Sequence, residues 1–121
     1  VNPNPILAMP VAGMSGTYDF PFEVVLTETG GQTVTITALH IDIKALGIPV
    51  SSKTYDAAYL QARNESPIIP ASSVVRYNFD IREDTPDAAF SSNVTADIRV
   101  EGVDDRANPV RQTVTVSIRR G

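Results

Sequence analysis

The stretch that most constrains this chain is its last hairpin. Asn93 to Val100 (NVTADIRV) and Val110 to Ile118 (VRQTVTVSI) alternate apolar and polar residues on either side of the polar stretch EGVDDRANP. Alternation at period two is the mark of paired antiparallel strands with one buried face. Val94, Ala96, Ile98 and Val100 share one side of the first strand, and Val114, Val116 and Ile118 share one side of the second. Thr95, Asp97, Arg99, Glu101, Arg111, Thr113, Thr115 and Ser117 take the other side, which faces water. Everything upstream has to cover the apolar side. Inward residues must lie opposite inward residues, which leaves two nearby registers. One sets Ile98 opposite Val114, Ala96 opposite Val116, Val94 opposite Ile118 and Glu101 opposite Arg111. The other sets Arg99 opposite Arg111, a like-charge contact. The first is expected.

The 121 residues fit one domain, 1–121, with 1–5 as a possible linker. A net charge of -4 and a pI near 4.8 argue against nucleic acid or an anionic membrane surface as partner, since both need a basic face. With no cysteine, disulfides, thiolate metal sites and cysteine nucleophiles drop out. No apolar run approaches the roughly 18 residues that span a bilayer, so membrane insertion is not expected.

From the start, VNPNPILAMP reads as an edge strand tacked to the core by Ile6, Leu7 and Met9, because proline cannot donate to a ladder. Ala12 to Thr17 reads as a turn. Tyr18, Phe20, Phe22, Val24 and Leu26 line one face of a long strand, and Gly30 and Gly31 supply a tight connection. In the next strand, Thr33 to Lys44, Val34, Ile36 and Ala38 keep one phase and Leu39, Ile41 and Ile43 the other. A bulge near Ala38 and Leu39 would restore a single buried face. Gly47 and Pro49 then break the strand. Tyr55, Ala58, Tyr59 and Ala62 recur at helical spacing, which predicts a helix over Thr54 to Arg63 capped by Thr54. Val75, Tyr77, Phe79 and Ile81 face inward in a strand from Ser73 to Arg82. Phe90, in the loop Glu83 to Ser92, is expected to plug an end of the core.

These elements predict an all-β fold, an antiparallel β-sandwich of about seven strands with one short helix. The run VTADIRVEGVDDRANPVRQTVTVSI resembles the final hairpin of bacterial immunoglobulin-like or fibronectin type III-like modules, where a V-x-G-x-D-D loop joins the last two strands. FPFEVVLTETGG, TYDAAYLQARNES and IIPASSVVRYNF are similar in order to such modules. Antibody-type cysteines, the core tryptophan and the corner tyrosine are absent. Whether Gly30 and Gly31 make a hairpin within one sheet or an arch between two stays open.

Chemistry is sparse. His40 is the only histidine, so no Ser-His or histidine-metal cluster is expected, and beside Asp42 it reads as a solvated strand residue and not as a catalytic one. Asp104, Asp105 and Asn108 are the candidate oxygen ligands for Ca²⁺, set against their ordinary role in turn geometry. Glu83, Asp84 and Asp87 form a second acidic loop at the opposite pole. Tyr55 and Tyr59 could stack a sugar, or pack a helix onto a sheet. Asn64-Glu65-Ser66 and Asn93-Val94-Thr95 match the glycosylation acceptor, but such matches are common by chance, and Pro67 and the strand setting speak against both. No catalytic residue and no cofactor is assigned.

The reading these features carry is a non-catalytic structural or spacer module of a larger bacterial surface or secreted protein, located outside the cell or on its surface. Its partners would be neighbouring domains of the same polypeptide, and possibly protein or glycan. The alternative is a carbohydrate- or protein-binding module using Tyr55 and Tyr59 or a loop cluster. An odd number of antiparallel strands would put the two ends at opposite poles, with Pro5 and Ile118 far apart.

Overall fold

In the computed structural model, residues 1–85 and 93–120 are described; Asp87 and Phe90, and the end-plug expected of Phe90, lie outside them. The strands are β1 (Ile6–Pro10), β2 (Thr17–Thr27), β3 (Val34–Ala45), β4 (Ile48–Asp56), β5 (Ile68–Ile69), β6 (Val74–Asp84), β7 (Val94–Asp104) and β8 (Pro109–Arg120), with one helix, α1 (Ala57–Ala62). They form one mixed sheet in the order β4-β3-β7-β8-β1-β2-β6, with β5 paired to β3, curled into a half-barrel. The fold is all-β. The sheet is not wholly antiparallel, because β1 runs parallel to β8 before turning to pair antiparallel with β2.

The last hairpin takes the expected register: Val94 opposite Ile118, Ala96 opposite Val116, Ile98 opposite Val114 and Glu101 opposite Arg111. It is longer than the alternation alone marks. Gly102 sits inside β7 and the turn closes at Asp104 to Asn108, where Asp104 N–H donates to the Asn108 carbonyl at 2.9 Å. A Cβ on Gly102 would lie 2.6 Å from the Thr35 carbonyl oxygen, so the close approach of β3 demands glycine there.

That approach belongs to the bulge. Against β7, Ile36 pairs with Gly102 and Ala38 with Glu101, leaving Thr37 as the extra residue. Ile36, Leu39, Ile41 and Ile43 all become buried as a result. Tyr18, Phe20, Phe22 and Val24 from β2, and Tyr77, Phe79 and Ile81 from β6, supply the aromatic half of the core.

Four expectations need correction. In β1 the buried residues are Ile6 and Ala8, while Leu7 and Met9 are exposed, because the strand presents its even phase to the core. Gly47 makes a turn with φ of 77° but Pro49 does not end the sheet: it lies in edge strand β4, where a missing N–H costs no ladder bond. The helix is shorter than predicted. Thr54 belongs to β4 opposite His40, and the cap is Asp56, whose carboxylate accepts from Tyr59 N–H at 2.8 Å. The termini also fail the parity argument: Ile6 is the register partner of Ile118, so Pro5 lies beside Ile118 instead of a domain length away. A short first strand laid parallel to the end of the last one brings them together.

The Gly30-Gly31 connection is not a hairpin: β2 pairs with β1 and β6, and β3 with β4, β5 and β7, so the segment arches between two strands that share no ladder.

Candidate functional site

The acidic hairpin tip is built by its own backbone. Asp104 Oδ1 accepts from the N–H of Arg106 and of Asn108, both at 2.9 Å, and these bonds hold its carboxyl below the usual range. With its amide nitrogen turned toward the tip, Gln32 donates to Asp104 Oδ2 at 3.1 Å and to Asp105 Oδ1 at 2.9 Å. The oxygens of Asp104 and Asp105 thus already serve N–H donors, which is the turn role of Asp. Among the described residues, no group of three or more His, Asp or Glu side chains is gathered as a metal would need.

Glu83 and Asp84 are not in a loop. They end β6, at the pole opposite the hairpin tip, where Thr17 Oγ1 donates to Asp84 at 2.6 Å. Glu83 accepts from Ser51 Oγ at 3.0 Å and faces Lys53 Nζ at 3.2 Å, tying β6 to β4 across the mouth of the half-barrel.

Tyr55 and Tyr59 do come together, with ring centroids 4.5 Å apart. Tyr55 continues inward to Phe79 at 4.9 Å, and Phe79 to Phe22 at 5.6 Å, so the pair is the outer end of an aromatic column. Burial pushes the Tyr55 phenol up. Arg63 lies over both Tyr59 and Phe79, 5.4 and 5.8 Å from their centroids, and donates to the Asn78 carbonyl at 2.7 Å and to the Tyr59 hydroxyl at 3.2 Å. The helix is stapled to the sheet by this group, and Leu60 is its one buried residue.

His40 is more engaged than a solvated residue. Its Nδ1 is 3.1 Å from Thr54 Oγ1 and its Nε2 is 3.0 Å from Glu101 Oε1, which also receives Arg99 Nε at 2.8 Å. The sequence could not offer Thr54 and Glu101 as partners, because each reaches His40 only through strand pairing. Glu28 was equally hidden. Its carboxylate accepts from the N–H of Gly30 (2.7 Å), Gly31 (2.9 Å) and Ser72 (2.8 Å), and these backbone bonds, that from Ser72 foremost, lower its pKa and fix the arch. Both acceptor-motif asparagines, Asn64 and Asn93, are exposed.

Beside the arch lies an open cleft of about 440 Å³. Leu26, Val34, Ile36, Ile69 and Val100 contribute to its lining, and Val110 and Arg111 line it from β8.

No protein-family model and no curated protein matches this chain. Among solved structures, the X-ray structure of a Northeast Structural Genomics Consortium target is similar at a TM-score of 0.70 and 15% identity, covering 93% of this chain and 80% of that one. It shares the fold. A crystal structure of a protein from Archaeoglobus fulgidus overlaps at a TM-score of 0.46 and 8% identity, over 93% of this chain and 94% of that one. No helix among the described residues is long and apolar enough to cross a membrane.

Proposed function

We propose that this chain is a non-catalytic structural module of a larger bacterial surface or secreted protein, with an immunoglobulin-like sandwich arrangement. The strand order supports the second part. β2 and β6 pair as one leaf, β4, β3, β7 and β8 as the other, and β1 switches between them, which matches the division of strands in immunoglobulin-like domains.

One observation carries the structural reading: the first and last strands lie side by side and run the same way, from Ile6 opposite Ile118 to Ala8 opposite Arg120. Chain arriving before β1 and chain leaving after β8 therefore pull in opposite directions along the same ladder. Such a pull loads the β1–β8 hydrogen bonds together, in shear, whereas pulling both strands from one end would break them singly. Close termini remove the idea of a long-reach spacer, and the tension-bearing role replaces it as support for a module joined to neighbouring domains.

Single-molecule pulling tests this reading. Tension applied at Val1 and Arg120 is expected to unfold the chain at clearly higher force than tension applied at Gly13 and Arg120, which peels β1 from β8. Equal forces in the two geometries would remove the reading.

A further inference from the structure

The free edge of β8 is an interaction surface, and we propose that its partner is β8 of a second copy, paired antiparallel about Thr113. Hydrogen-bonded pairs recur at every second register position of an antiparallel ladder. Asp104 with Asn108 is such a pair, so Gly102 with Val110, Val100 with Gln112 and Ile98 with Val114 are the next ones. The intervening residues of β8, Arg111, Thr113, Thr115 and Ser117, then turn their N–H and C=O away from β7. β1 covers that edge only from Ile118 to Arg120. Among the described residues, no strand pairs with residues 109–117 on the side away from β7, and Thr113 is their midpoint.

The side chains say the same. Val114 is opposite Ile98 and so on the inward face, yet it is 42% exposed, and Val110 is 36% exposed. Val116 and Ile118, closer to β1, are 4% and 5% exposed. The apolar face of β8 is thus finished where β1 runs and unfinished where it does not. The far edge of β6 is treated differently, since Arg63 donates to the Asn78 carbonyl there.

Self-pairing about Thr113 fits this span on three counts. It sets Val110 opposite the partner's Val116 and Gln112 opposite the partner's Val114, covering the exposed valines. It stops with Pro109 opposite the partner's Ser117, one residue short of where β1 begins, and proline's missing N–H harms only that last rung. It also places Arg111, which makes no ion pair among the described residues, opposite the partner's uncharged Thr115, while Asp97, which accepts from that hydroxyl at 2.6 Å, stays with Lys44 at 2.8 Å in its own chain. No like charges face one another, and an isologous contact of this kind closes as a two-fold dimer.

The chain has no cysteine, so a single one is a clean probe. In a hydrogen-bonded antiparallel pair the two Thr113 Cα atoms would stand about 5.5 Å apart, inside the range a disulfide spans. Under mild oxidation Thr113→Cys is expected to cross-link rapidly into a dimer, and Ala58→Cys on exposed α1 is not. Sedimentation equilibrium of the wild type is expected to show a monomer–dimer equilibrium, and Thr113→Lys, which sets two ammonium groups opposite each other, to weaken it at least tenfold with an unchanged circular dichroism spectrum. A wild type monomeric at every concentration, a dimer indifferent to Thr113→Lys, or equal cross-linking of the two cysteine variants would each overturn the proposal. A monomer that instead binds an added extended peptide at this edge would also overturn it, and would assign the edge to a foreign strand.

Discussion

The half-barrel has two sides to close, and it closes them with different materials. Across the β4–β6 mouth the closure is made of side chains: Leu60, the Tyr55–Phe79 column, Arg63 over the rings, and Glu83 held by Ser51 and Lys53. Between β8 and β2 it is made of backbone, and only in part, by the short β1. Side chains can pack a gap of any shape. A strand closes only the length it spans, and what it leaves is an edge with unpaired amides and half-covered valines.

Substitutions should separate the two sides. Phe79→Ala removes the ring on which Phe22, Tyr55 and Arg63 converge, and is expected to cost about 3–5 kcal/mol in denaturant unfolding, the usual range for a buried phenylalanine. A smaller cost would mean that the mouth repacks freely. Gly102→Ala drives a Cβ into the Thr35 carbonyl, and about 1–3 kcal/mol is expected from the forced backbone shift. Arg63→Ala should cost about 1 kcal/mol through the lost ring contacts and the Asn78 bond. No loss would show that α1 is held by Leu60 alone.

A pH test reads the same side. Tyr77 donates its hydroxyl to the Ser66 carbonyl at 2.6 Å behind α1, and burial pushes its phenol up to about 12. The folded state therefore holds this proton more tightly than the unfolded chain does. The corresponding stability is complete below pH 10 and is lost as pH rises toward 12. Ultraviolet titration should show one tyrosine ionising last, and its loss in Tyr77→Phe identifies it. On the open side Val114→Ala is expected to change stability by no more than about 0.5 kcal/mol at concentrations where the chain is monomeric. A larger loss there would mean that the edge is covered in the monomer.

Much of this was legible beforehand wherever one face of a strand is apolar. The alternation in Val94 to Val100 and Val114 to Ile118, together with the penalty for Arg99 opposite Arg111, led to the register found. The phase change in β3 announced its bulge, one residue early at Thr37. Segments with weaker patterning were misread. In β4, IPVSSKTYD buries Ser51 and exposes Ile48, so no period marks it as a strand, and the helical spacing of Tyr55 and Tyr59 spilled over its end. For the candidate sites, Tyr55 and Tyr59 were found as neighbours, whereas Arg63, which lies over Tyr59 and Phe79, is one turn further on and carries no apolar signal.

By itself the sequence determined the all-β class, the inward faces of β2, β6 and β7, and the pairing of the last two strands. Each of these follows from period-two burial, a property a strand carries alone. Only the tertiary structure decided that β1 runs parallel to β8, that Gly30 and Gly31 join strands that do not pair with each other, that Thr54 and Glu101 meet at His40, and that among the described residues only β7 pairs with residues 109–117. Those are relations between distant segments. Backbone amides are alike in every residue, so a chain's composition records which face is buried but not which edge is left bare.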